Sequence, residues 1–140
     1  MDCPLCSVSR NDIVWQDEYC RVILADDPDY PGYCRVVWGE HAVEMSDLAP
    51  DEQRRILDVT LAVERALRAL MNPDKINLAS LGNKVPHLHW HVIARFADDR
   101  HFPESIWGRE QRPGCPRAKP ERATLARRIA DELSHISIIH

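Results

Sequence analysis

The stretch "HLHWHVIAR" (87–95) constrains the chain most. His87, His89 and His91 stand at alternate positions, with Leu88 and Trp90 between them and Val92 and Ile93 behind. Alternate residues of a strand share one face. The spacing predicts a strand from about His87 to Phe96, with three histidines on one exposed face over roughly 13 Å. Leu88, Trp90 and Val92 then point to a core. The alternation has a chemical half and a structural half.

Such a face admits three readings. A neutral imidazole can act as a nucleophile at phosphorus while its neighbours orient it and manage protons. His-x-His on a strand can ligate zinc through two nitrogens. Polar residues can also line a solvated sheet face by chance, which strict alternation of three disfavours. The flank "LGNKVP" (81–86) bears on the choice. Gly82 permits close backbone approach to a ligand, Asn83 can donate to an oxyanion, and Lys84 is a mobile cation suited to phosphate.

The remaining pattern sets the frame. "IVWQDE" (13–18), "EYCRVILAD" (18–26) and "YCRVVWGEH" (33–41) read as strands, the last two joined by the turn "DDPDYPG" (26–32). From Pro50 to Met71 the period becomes helical, with Ile56, Thr60, Val63, Leu67 and Leu70 on one stripe and Leu57 and Leu61 widening it. Pro50 suits a first helical turn, and Asn72-Pro73 ends the run. Ile76–Leu81 reads as a strand, followed by a break at Gly82-Asn83. Leu125, Ile129 and Leu133 mark a short C-terminal helix over 123–136. Strands on either side of one long helix predict an α+β fold with an antiparallel sheet of about five strands.

A chain of 140 residues suits a single core. The organisation expected is a folded domain over 1–108, then a basic Pro/Arg-rich linker and helix over 109–140. Residues 1–108 carry 11 basic against 18 acidic side chains, or −7, and residues 109–140 carry 7 against 4, or +3. An acidic body argues against a duplex nucleic-acid binder. No apolar run approaches the roughly 20 residues that span a membrane. "MDCPLCSVSR" has no apolar h-region, so a cytoplasmic location is expected. There, Cys20 and Cys34 are expected as free thiols packed like small hydrophobes. Cys3 and Cys6 form a Cys-x-x-Cys pair with zinc-ligand spacing, but two ligands do not make a site.

"HLHWHVI" has the form His-φ-His-φ-His-φ-φ, where φ is apolar, and in this it resembles the histidine triad (HIT) family of nucleotide hydrolases and transferases. The likeness takes in "CPLC", "DDPDYPG" leading to "YCRVVWGEH", the helix after "MSDL", and "KINLASLGNKVPH" before the triad, or roughly residues 1–107. It implies that His89 is the nucleophile at the α-phosphorus, that His91 contacts the phosphate, and that His87 orients the nucleophile or ligates zinc. It implies that Asn77 and Asn83 hold phosphate oxygens or order the site, and that Asp26 or Asp27 contacts the ribose. Some HIT proteins bear zinc on a matching set, here Cys3, Cys6, His41 and His87, which would be a closed structural site. The resemblance further implies a purine nucleotide substrate, no catalytic cofactor and a homodimer. Ala94 stands where the family often has Pro, Asn83 where Gln is common, and Ala79 where Gly is frequent. These departures bear on substrate preference more than on reaction class. The function expected is cleavage of a nucleoside phosphoramidate, an adenylyl conjugate or a dinucleoside polyphosphate through a nucleotidyl-histidine. The alternatives are a nucleotide-binding regulatory module with little turnover and a zinc-dependent hydrolase. His101 and Trp107 lie after the triad, where each can face the pocket or simply pack. His135 and His140 are expected to be solvent-exposed.

Overall fold

The computed structural model describes residues 3–137, with the backbone alone at Ser137. His140 lies outside the described residues. Five strands form one antiparallel sheet: β1 (Ile13–Gln16), β2 (Cys20–Leu24), β3 (Tyr33–Trp38), β4 (Lys75–Ala79) and β5 (His89–Arg95), in the spatial order β1-β2-β3-β5-β4. Two helices accompany them, α1 (Pro50–Met71) and α2 (Arg122–Ser137). The strands are shorter than the apolar runs that announce them. His87, for one, precedes β5 rather than opening it.

Register decides what meets what. β3 pairs with β5 so that Val37 faces His89 and Arg35 faces His91, while Val36 faces Trp90 and Cys34 faces Val92. β4 pairs with the other side of β5, with Ala79 opposite His91 and Asn77 opposite Ile93. Cys34, Val36, Trp38, Leu88, Val92 and Ala94 therefore share the face that packs under α1. The histidines share the opposite face with Arg35 and Val37.

Helix α1 starts with Pro50 in its first turn, and the Glu52 carboxylate accepts a 2.8 Å hydrogen bond from the Ala49 N–H. It ends where Asn72 adopts the left-handed conformation (φ 49°, ψ 56°), which Asn tolerates better than most residues and Pro73 then prevents from continuing. Its buried face is Ile56, Val59, Thr60, Ala62, Val63, Ala66 and Leu67. Leu57, Leu61 and Leu70, which the periodicity assigned to the core stripe, are instead exposed (40%, 36% and 38%). The contact face is rotated towards small residues, because Ala62 and Ala66 let the helix lie close against its neighbours. Helix α2 spans 16 residues and is an integral layer, with Leu125, Ile129 and Leu133 buried in the main core. The extended segment before it is clamped: Arg112 donates to the Asp99 and Phe102 carbonyls, and Arg117 pairs with Asp98 at 2.7 Å and stacks over Phe96. Among the described residues no helix is long and apolar enough to cross a membrane.

Candidate active site and metal cluster

The triad face is not solvated as the alternation implied. His87, His89 and His91 are 0%, 7% and 6% exposed. The turn Cys3–Cys6 covers part of that face, with Leu5 packed on Ile23 and Val37 and flanked by Val85. Beside it opens a cavity of about 540 Å³, lined by Pro4, Leu5, Tyr33, Arg35, the loop Leu81–Val85, His89, His91 and Trp107.

Each histidine has a different partner. The His89 Nδ1 lies 2.6 Å from the His87 carbonyl oxygen. A carbonyl only accepts, so Nδ1 carries a proton, and in the neutral ring the lone pair is on Nε2. The His91 Nδ1 lies 2.6 Å from the Tyr33 hydroxyl. Burial, with His89 and the Arg35 guanidinium close by, pushes the His91 imidazole down to about 4. It is neutral at pH 7. Burial raises the Tyr33 phenol, so that hydroxyl stays protonated. The His91 ring also meets the half-exposed Trp107 edge-on at 5.0 Å.

His87 looks the other way. Its Nε2 lies 2.7 Å from the Trp38 carbonyl and must donate to it, which turns the Nδ1 lone pair outward. That nitrogen sits 3.3 Å from Cys3 Sγ and 3.4 Å from Cys6 Sγ, and Cys6 Sγ is 3.4 Å from His41 Nδ1. All four ligand atoms lie within 4.8 Å of one another. Zn–S bonds of about 2.3 Å and Zn–N bonds of about 2.0 Å at tetrahedral angles give S···N edges of about 3.5 Å. The spacing fits a Cys₂His₂ metal site, and the His87 N–H on a backbone carbonyl is the outer contact that metal-bound histidines usually make. Cys20 and Cys34, in contrast, are buried free thiols as expected, and burial pushes both up to about 12, which makes them poor nucleophiles.

The expected site residues separate into groups. His89, His91, Asn83 and Lys84 come together at the cavity. Cys3, Cys6, His41 and His87 come together at the metal cluster. Asn77, Asp26 and Asp27 do not line the cavity. The Asn77 Oδ1 accepts from the buried Arg95 Nη1 at 2.7 Å, the Asp27 Oδ1 accepts from the Asp29 N–H, and Asp26 is exposed. Arg95 also pairs with Asp99 at 2.8 Å, both almost fully buried. Burial alone would raise the Asp99 carboxyl, but Arg95 and the Phe96 and Phe102 N–H groups hold it well below the usual range. His101 is half-buried, with its Nδ1 2.5 Å from the Tyr30 hydroxyl, away from the cavity. His135 is exposed. Tyr33 and Arg35 were missed. The alternation of "YCRVVW" puts both on one face, but only the β3–β5 register brings that face beside the histidines.

The fold is an antiparallel α+β sheet whose cavity brings His89 and His91 beside Arg35, Asn83 and Lys84. Residues 7–98 match the profile of the HIT domain, so the chain belongs to the histidine triad family. A histidine triad protein from Bradyrhizobium japonicum is 30% identical, with 92% of this chain and 96% of that one aligned at a TM-score of 0.67. An uncharacterized HIT-like protein from Borreliella burgdorferi is 27% identical over 109 residues, or 70% of this chain and 78% of its own. A Zn-bound histidine triad family protein from Mycobacterium smegmatis shares the fold at 22% identity and a TM-score of 0.57, over 91% of this chain and 87% of its own.

Proposed function

We propose that this protein is a nucleotidyl hydrolase or transferase that cleaves nucleoside phosphoramidates, adenylyl conjugates or dinucleoside polyphosphates. The observation that carries this reading is the His89 Nδ1 contact with the His87 carbonyl, which in the neutral ring assigns the lone pair to Nε2 as the nucleophile at the cavity. Its lone pair forms a bond to the α-phosphorus as the bond to the leaving group breaks. The leaving group departs with that electron pair and takes up a proton. Water then attacks the phosphoramidate, the P–N bond to His89 breaks, and a nucleoside monophosphate is released. Charge developing on the phosphoryl oxygens meets Arg35, Lys84 and the Asn83 amide. In this reading Tyr33 donates to the His91 Nδ1, so His91 carries its proton on Nε2 and adds a neutral donor at the phosphate. No step of this scheme uses a metal. The test is hydrolysis of adenosine phosphoramidate and of a dinucleoside polyphosphate by the wild type and His89→Ala, with and without EDTA. Binding without turnover would favour a regulatory module.

The metal cluster supports a second element of the reading, one structural zinc on Cys3, Cys6, His41 and His87. The Zn-bound Mycobacterium smegmatis relative lends it support. A closed four-ligand site leaves no position for substrate, and the ion would serve to tie the N-terminal turn to the sheet.

The reading extends to a homodimer. Strand β4 lies at the sheet edge and carries the exposed Leu78, and Leu57 and Leu61 are exposed on α1. An unpaired edge with apolar neighbours favours pairing with a second copy.

A further inference from the structure

The cluster and the cavity share a wall. Cys3 and Cys6 close a turn, with the Cys6 N–H donating to the Cys3 carbonyl at 3.1 Å, and Pro4 occupies the turn position its fixed φ favours. The residues between the two thiols are Pro4 and Leu5, and both line the cavity that holds His89. Leu5 belongs to a small apolar cluster with Ile23 and Val37, against which Val85 also packs. The thiols at either end of the turn are its link to His41 and His87. His87 joins the same two sites by its main chain. Its ring belongs to the cluster, while its carbonyl fixes the His89 tautomer.

From this geometry we infer that the metal cluster sets the shape of the nucleotide pocket: with zinc bound, the Pro4–Leu5 turn is locked as a substrate-contacting wall, and without zinc that wall is released. The inference rests on the nucleotidyl reading above and adds Leu5 as a residue that determines how tightly substrate is held. A turn tied at both ends is pre-organised for its ligand, whereas a free one must be ordered on binding, which costs affinity. The His87 carbonyl belongs to the chain preceding β5, next to a Trp38 carbonyl that holds the same ring. Release of the metal therefore acts chiefly on the wall, with a smaller effect on the orientation of His89.

The experiment is calorimetric titration with AMP. It compares zinc-loaded wild type, chelator-treated wild type, Cys6→Ser and Leu5→Ala, with metal content and circular dichroism measured on each. Leu5→Ala should keep a full equivalent of zinc and a native spectrum, yet bind AMP about tenfold more weakly. Metal-free wild type and Cys6→Ser should weaken binding to a similar extent, and adding Leu5→Ala to metal-free protein should weaken it little further. Leu5→Ala with its zinc in place and AMP affinity within twofold of wild type would overturn the inference, even if Cys6→Ser fails to fold. So would a wild type that carries no zinc. Loaded wild type that neither binds AMP nor hydrolyses the phosphoramidate would overturn the nucleotidyl reading itself, a result distinct from either.

Discussion

Three histidines at alternate positions have three separate partners: a thiol cluster for the His87 ring, a backbone carbonyl for His89, and a phenol for His91. The Tyr33 hydroxyl is the contact most open to a conservative test. Tyr33→Phe keeps the ring and removes the donor, so kcat should drop about tenfold with KM little changed, because His91 loses its fixed tautomer. Steady-state kinetics on the phosphoramidate separates the two constants. The same residue gives a pH signature. His91 is pushed down to about 4 in the folded protein, against about 6.5 in an unfolded chain. Between those values the unfolded chain binds more protons, so stability falls as pH is lowered from about 6.5 to 4. Thermal melts across that window should show a declining Tm, and His91→Asn should flatten the slope.

Among the elements, β5 carries both the chemistry and a structural lock. Its last residue, Arg95, donates to Asp99, to Asn77 and to the Glu104 carbonyl, so it ties β4 and the following loop to the strand. Asp99→Ala would leave a buried guanidinium without its carboxylate and should cost about 3–5 kcal/mol, read from chemical denaturation. This lock was invisible in the sequence. Arg95 and Asp99 stand in an i, i+4 relation that looks like surface charge, and only the chain reversal after β5 buries them together. The α1 boundaries were legible because Pro50 and Asn72-Pro73 are local signals. Its facing was not: Leu57, Leu61 and Leu70 fit the helical period as well as Ala62 and Ala66 do, and docking against α2 and the sheet decided between them. The alternation of β5 correctly separated two faces. Its burial escaped notice because the covering turn lies some eighty residues earlier in the chain.

Across the whole molecule, one sheet separates an apolar layer, where α1 and α2 pack, from a polar layer, where the N-terminal turn and the segment through Trp107 enclose a cavity. The residues of the metal cluster were legible through the family resemblance, since positions 3, 6, 41 and 87 have no local pattern in common. Metal analysis of protein purified without chelator should find about one zinc per chain, and chelation should lower Tm. The proposed dimer through the β4 edge predicts that Leu61→Lys combined with Leu78→Lys halves the mass seen by light scattering while preserving the circular dichroism spectrum. The central claim is that the lone pair of His89, freed by the His87 carbonyl, attacks phosphorus. Hydrolysis of adenosine phosphoramidate by His89→Ala tests it most directly. The account predicts a loss of about a thousandfold or more in kcat with the fold and zinc content intact, and wild-type activity that survives brief EDTA treatment. Turnover by His89→Ala within a few fold of wild type would contradict it.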